Sequence, residues 1–188
     1  MNLQDLRKPL SVSDIDFRVQ SINKGGYATI LAYKDARVDM NRLDEVCGAL
    51  NWKRSHLHSN HNCVVSIYDE SKGEWVSKED TGTESFTEAQ KGLASDSFKR
   101  ACVNWGIGRE LYDYPVIQVK LKDDEWFLND KKKDKFGKPK PDATWNLKLK
   151  EWVWYSEFKD NEITFLAAKD NNNDLRFKWG TKGMGEPV

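Results

Sequence analysis

The chain has 188 residues, 38% hydrophobic and 32% charged, enough for one good core with a small appendage and too apolar for a disordered protein. Its formal net charge of +0 argues at first against a nucleic-acid binder, but a binding groove needs only a local positive stripe, which acids elsewhere can cancel. The start MNLQDLRKPL has no apolar signal core and no run approaches transmembrane length, so a cytoplasmic protein without a membrane partner is expected.

Residues 1–14 read as a short amphipathic lead-in, with Leu3, Leu6 and Leu10 at helix-like spacing until Pro9 interrupts. Residues 15–20 alternate apolar and polar, and Lys24-Gly25-Gly26 signals a turn into a second strand at 27–33. From Ala36 to Trp52, Met40, Leu43, Val46, Cys47 and Leu50 recur at helical spacing, predicting a helix that ends between Gly48 and Asn51. Lys53 and Arg54 then extend positive charge beside Trp52. The His56, His58 and His61 spacing invites a metal, but no acid stands within the cluster to complete it, so a polar strand end is the better reading. Strands are expected at 63–68 and 75–85, joined by a turn at 69–74. Cys47, Cys63 and Cys102 form no CxxC pair and read as buried free thiols of a reducing compartment.

The stretch at 87–109, TEAQKGLASDSFKRACVNWGIGR, predicts one long amphipathic helix with Ala94, Phe98, Ala101, Cys102 and Trp105 on a single face. Lys99 and Arg100 flank that face, about 100° apart around the axis, where two cations can meet successive phosphates. Taken alone, such a pair reads better as a solvated helix flank. Asp96 is placed to orient Arg100 through an i,i+4 pair.

After the helix a strand is expected at 116–121. Residues 131–141, KKKDKFGKPKP, read as a basic linker or loop, either plain solvated surface or an arm adding non-specific DNA affinity. Alternation over 145–154, then strands at 163–168 and 175–179 around Asn171-Asn172-Asn173, predict a small β-rich unit over 142–188. The expected domains are therefore a core at 1–130, the linker at 131–141 and the C-terminal unit. The fold class is α+β, an antiparallel sheet packed against the long helix.

Two segments carry a resemblance. Ala94-Ser95-Asp96 followed by Lys99-Arg100-Ala101, and Arg37-Val38 leading into a helix closed by Gly48 and Trp52, resemble the Rad52 superfamily of single-strand annealing proteins, which includes short phage recombinases. The resemblance covers about residues 15–115. It implies a β-β-α annealing fold, a homo-oligomeric ring or filament, and a basic groove that holds single-stranded DNA by its backbone in recombination or repair. It also implies a bacterial host's cytoplasm and a host or phage single-strand-binding protein as a further partner. The arginine of the Arg-Val pair contacts DNA in that family, so the resemblance gives Arg37 this role; the residues alone favour a simple pair with Asp35, Asp39 or Asp44. Within this reading Lys99 and Arg100 hold phosphates, and Lys53, Arg54 and Lys91 are wall residues. Eukaryotic relatives carry another basic residue three positions after the Lys-Arg pair, where this chain has Val103, so their second DNA-binding surface does not transfer.

No phosphate loop, nucleophile elbow or HExxH occurs, and the acids, Asp80 and Glu84 or Asp123 to Glu125, read as surface groups rather than a two-metal cluster. Annealing without enzyme activity, cofactor or metal is thus the favoured reading. Two alternatives stand beside it: a metal-dependent nuclease or other DNA enzyme, and a β-rich interaction module without DNA binding.

Overall fold

The computed structural model describes residues 2–83 and 89–182. Chain contacts divide these into two compact units, Met1–Asp14 with Lys34–Tyr112, and Ile15–Tyr33 with Asp113–Val188. The expected boundaries at 130 and 141 followed chain order. The division by contacts does not, because the first hairpin pairs with a strand some ninety residues later.

In the first unit, helix α1 spans Ala36–Cys47, earlier than Leu50, which stands 92% exposed beyond the helix end and contributes nothing to its buried face. Asp35 caps α1, its carboxylate accepting from the Arg37 amide. For chain-order numbering, β1 (Ile15–Ile22) and β2 (Tyr27–Lys34) precede this helix. Three antiparallel strands follow it, β3 (Trp52–Leu57), β4 (Asn62–Asp69) and β5 (Glu74–Thr81), with β4 central. Cys63, Val65 and Ile67 of β4 are buried on one face, as the two-residue period requires. Helix α2, Ala89–Trp105, packs on β4 and β5 with Leu93, Phe98, Ala101, Cys102 and Trp105 buried. The stretch read as this helix reaches Arg109, with Gly106 and Gly108 suited to end it. The helix stops at Trp105 because Gly106 takes φ +110, and a one-turn 3-10 helix, Arg109–Tyr112, follows. Expected helix residues Thr87 and Glu88 lie outside the described residues.

Close backbone approach fixes one further position. A Cβ on Gly82 would lie 2.6 Å from the Ser97 amide and 2.9 Å from the Leu93 carbonyl of α2. Both are backbone atoms, so neither can rotate away. Gly82→Ala should therefore cost about 1–3 kcal/mol of stability, read as a lowered urea midpoint.

The second unit joins β1 and β2 to β6 (Ile117–Lys120) in an antiparallel sheet. Strands β9 (Val153–Lys159), β10 (Glu162–Lys169) and β11 (Leu175–Gly180) form another, centred on β10, whose Ile163, Phe165, Leu166, Ala167 and Ala168 are buried. Phe17 stacks on Trp154 at 3.7 Å between ring centroids. The alternation expected over 145–154 does not form a strand until Val153. Trp145 is 84% exposed and Leu149–Glu151 is a 3-10 turn. The basic stretch expected as a linker or loop belongs to a hairpin, β7 (Trp126–Lys133) and β8 (Pro139–Ala143). The three cysteines are free and buried, and burial pushes the Cys47 and Cys63 thiols up to about 11, leaving them inert.

Candidate nucleic-acid interface

The start of α1 organises the first part of the candidate site. Asp35 caps the helix and also accepts from the Arg37 guanidinium, Nε at 2.9 Å. This fixes one edge of the fork and leaves the side chain 83% exposed. The two hydrogen bonds from Arg37 hold the Asp35 carboxyl below its ordinary value, and the Lys99 ammonium lowers it further. Lys99 acts in the same direction on Asp39. Lys99 of α2, sixty-two positions from Arg37 in sequence, thus acts electrostatically on both acids of the first turn of α1. Asp39, one turn in, is fully buried and paired with the buried Lys34, not with Arg37. Burial pushes the Asp39 carboxyl up to about 6 against the pull of Lys34.

Helix α2 presents Arg100 in another direction. Its Nε lies 3.3 Å from Asp80 on β5, and Asn104 braces the same carboxylate at 3.2 Å. The expected Asp96–Arg100 pair does not form; Asp96 instead accepts from the backbone and hydroxyl of Thr83 at 2.9 and 3.2 Å. Phe98, wholly buried, carries the Arg54 guanidinium over its ring at 4.6 Å, with Trp52 at 6.2 Å. Lys53 and Arg54 do not extend one charged wall. Neighbours on a strand point to opposite faces, and Lys53 lies over Trp75 at 4.1 Å, away from α2. Lys91 is in α2, but its side chain lies outside what the structure describes.

A further basic group escaped the sequence reading. Lys78 donates to the Asn104 carbonyl at 2.7 Å and lies over Trp105, while Arg109 donates to the Val103 and Asn104 carbonyls. Burial lowers the Lys78 ammonium, and Arg109 and Arg7 lower it further. These cations satisfy the open carbonyls at the end of α2. Arg109 just past a helix end is a readable signal; Lys78, on a strand, is not.

His56, on β3, has its ring nitrogen Nδ1 buried without a partner, and burial lowers its pKa. Among the described residues no three His, Cys, Asp or Glu side chains gather to hold a metal. Among the same residues no helix is long and apolar enough to cross a membrane.

Comparison with known proteins gives one family model, described as Rad52/22 family double-strand break repair protein, which matches residues 2–126. Similar relatives include the single-stranded DNA-binding protein DdrA of Deinococcus radiodurans, 33% identical over 61% of this chain and 58% of that one. DdrA of Deinococcus deserti is 32% identical over 65% of this chain and 64% of its own length. The chain thus spans about three fifths of the curated relatives it matches. No solved structure matches it.

Proposed function

Because the chain belongs to the Rad52/22 family of double-strand break repair proteins, we propose that it binds single-stranded DNA and anneals complementary strands in recombination or repair. The observation that carries this reading is Arg37, 83% exposed at the start of α1 and held by Asp35, a carboxylate that Lys99 of α2 also stabilises, with Arg100 on the same helix as Lys99. Exposed carboxylate pairs such as Arg37–Asp35 are weakly held, so a phosphate can take the carboxylate's place. Backbone-only contacts are blind to sequence and leave the bases free to sample partners. Base pairing then supplies the free energy, so neither ATP nor a metal is needed. Arg54, on its Phe98 platform, and Lys91 line the strand's path at lower weight; Lys53, on the other face of β3, serves it less. The working form is a homo-oligomer, ring or filament, which hands strands to and from a single-strand-binding protein.

Two measurements test this. Lys99→Ala and Arg100→Ala should each weaken single-strand binding and lower the slope of log affinity against log salt by about 0.7, with the fold intact. Complementary strands should anneal faster with the protein than without it, in EDTA and without ATP, in a fluorescence-quench assay. Strict dependence on ATP or Mg²⁺, or product strands shorter than the input, overturns the annealing reading in favour of an enzyme.

A further inference from the structure

The family match ends at residue 126, where the β7–β8 hairpin begins. Over residues 126–143 this hairpin carries six lysines against three aspartates, Asp130, Asp134 and Asp142, in a chain of zero net charge. Two of the acids are committed. Asp142 pairs with Lys132 at 2.7 Å and accepts from Asn129 at 2.9 Å. Asp134 closes the turn, its carboxylate accepting the amides of Phe136 and Lys138, each at 2.9 Å. Those amides hold the Asp134 carboxyl below its ordinary value. Among the described residues, no carboxylate lies within 4 Å of the ammonium groups of Lys131, Lys133, Lys135, Lys138 or Lys140.

The turn is fixed, not loose. The Asp134 amide donates to the Lys138 carbonyl and the Gly137 amide to the Asp134 carbonyl, with Gly137 at φ +76. Its product is an aromatic ring held out into water. Phe136 is 75% exposed, with the Lys135 ammonium 5.1 Å from its ring centroid. An open groove of about 770 Å³ runs beside the hairpin, between β1 and β8, with Lys24, Lys132 and Lys140 on its rim and Ile22, Pro139 and Pro141 in its wall.

We propose that the Phe136 tip and the free lysines of the β7–β8 hairpin form a second contact for a single nucleic-acid strand, separate from the α1–α2 cations. The lysines attract phosphates, and the groove gives the backbone a track along β8. The ring stacks on an unpaired base, which a single strand offers and a duplex or an acidic peptide does not. This inference rests on the reading that the protein handles single strands, and it adds where a second segment of the strand is held.

The test is fluorescence anisotropy of a labelled oligo(dT), titrated with the full chain at a series of salt concentrations. Phe136→Ala should weaken binding at least about fivefold, and Phe136→Trp should restore it. Replacing Lys131, Lys133, Lys138 and Lys140 together by glutamine should lower the salt slope by roughly 2–3 units while the contribution of Lys99 and Arg100 remains. All these side chains are exposed, so thermal melting should be unchanged and will show that the fold survives. Hairpin variants that bind like the parent, while Lys99→Ala weakens binding, overturn the hairpin contact alone. No salt-dependent binding by the parent overturns the single-strand reading itself. If poly-glutamate competes equally and Phe136→Ala changes nothing, the hairpin is a general polyanion site and the stacking assignment is wrong.

Discussion

Arg176→Ala should destabilise the second unit by about 3–5 kcal/mol, the cost of removing one partner from a buried charge network. The Arg176 fork meets Glu125 at 2.9 and 2.7 Å and Asp170 at 3.0 Å, all three side chains being almost wholly buried. Its guanidinium also lies over Trp152 at 4.5 Å. Asp170 is shared with Lys122 at 2.8 Å, and its other oxygen accepts the amides of Asn172 and Asp174, setting the turn from β10 to β11. Alanine would leave the buried Glu125 charge with the Lys122 amide at 2.7 Å and no cation bonded to it, and would leave Asp170 half-paired. With m near 2 kcal/mol per M, the urea midpoint should fall by about 2 M, followed through tryptophan fluorescence. Adding Glu125→Gln to Arg176→Met should recover a large part, since no buried charge is then left alone. A loss below about 1 kcal/mol for Arg176→Ala would show that the network contributes little.

The same network predicts an acid limb. Burial opposes ionisation of Asp170, but the hydrogen bonds from Lys122 and Arg176 outweigh it and bring the carboxyl to about 2. A carboxyl lowered in the folded state contributes stability above its unfolded value near 4, and that contribution disappears as pH falls toward about 2. The parent should therefore lose stability over that window more steeply than Arg176→Ala.

Phe98→Ala should cost about 3–5 kcal/mol and lower the melting temperature by roughly 10 °C. Phe98 is fully buried between α2 and the β3–β5 sheet and supports both Trp52 and the Arg54 guanidinium. The variant should lose strand binding together with stability, whereas Lys99→Ala should lose binding alone. Phe98→Leu, which keeps most of the volume, should retain most of both. A Phe98→Ala protein that melts like the parent would mean that α2 is not anchored there.

Phe98, Ala101, Cys102 and Trp105 of α2 were readable because apolar side chains recur every three or four positions from Ala94, whereas Leu93, buried where Ala94 is half-buried, falls outside that spacing. The β1–β2 and β10–β11 hairpins were readable because alternation flanks Gly25-Gly26 and Asn171-Asn172-Asn173. The β7–β8 hairpin was not, since lysine, proline and glycine lack strand propensity; its pairing rests on the Asp134 turn and the Asn129–Asp142 and Lys132–Asp142 contacts. Period two separates Lys53 from Arg54 on β3, but the polar Ser and His content left only a strand end legible there, not the extent of the strand. The pull of Lys99 on Asp35, and the exchange of Asp96 onto Thr83, depend on how distant segments pack, which local pattern does not encode.

The pairing of β2 with β6 sets an order of events at the ribosome. The β1–β2 hairpin is synthesised early, yet its remaining sheet partner lies beyond residues 34–112, which build the other unit first. At 5–20 residues per second the hairpin waits roughly 4–16 s with an unpaired edge. A lone two-stranded ribbon is marginal in water, so during that interval it is exposed to pairing with other nascent chains. Slowed elongation across residues 34–112 should therefore reduce the yield of native protein even though every residue of the finished fold is unchanged.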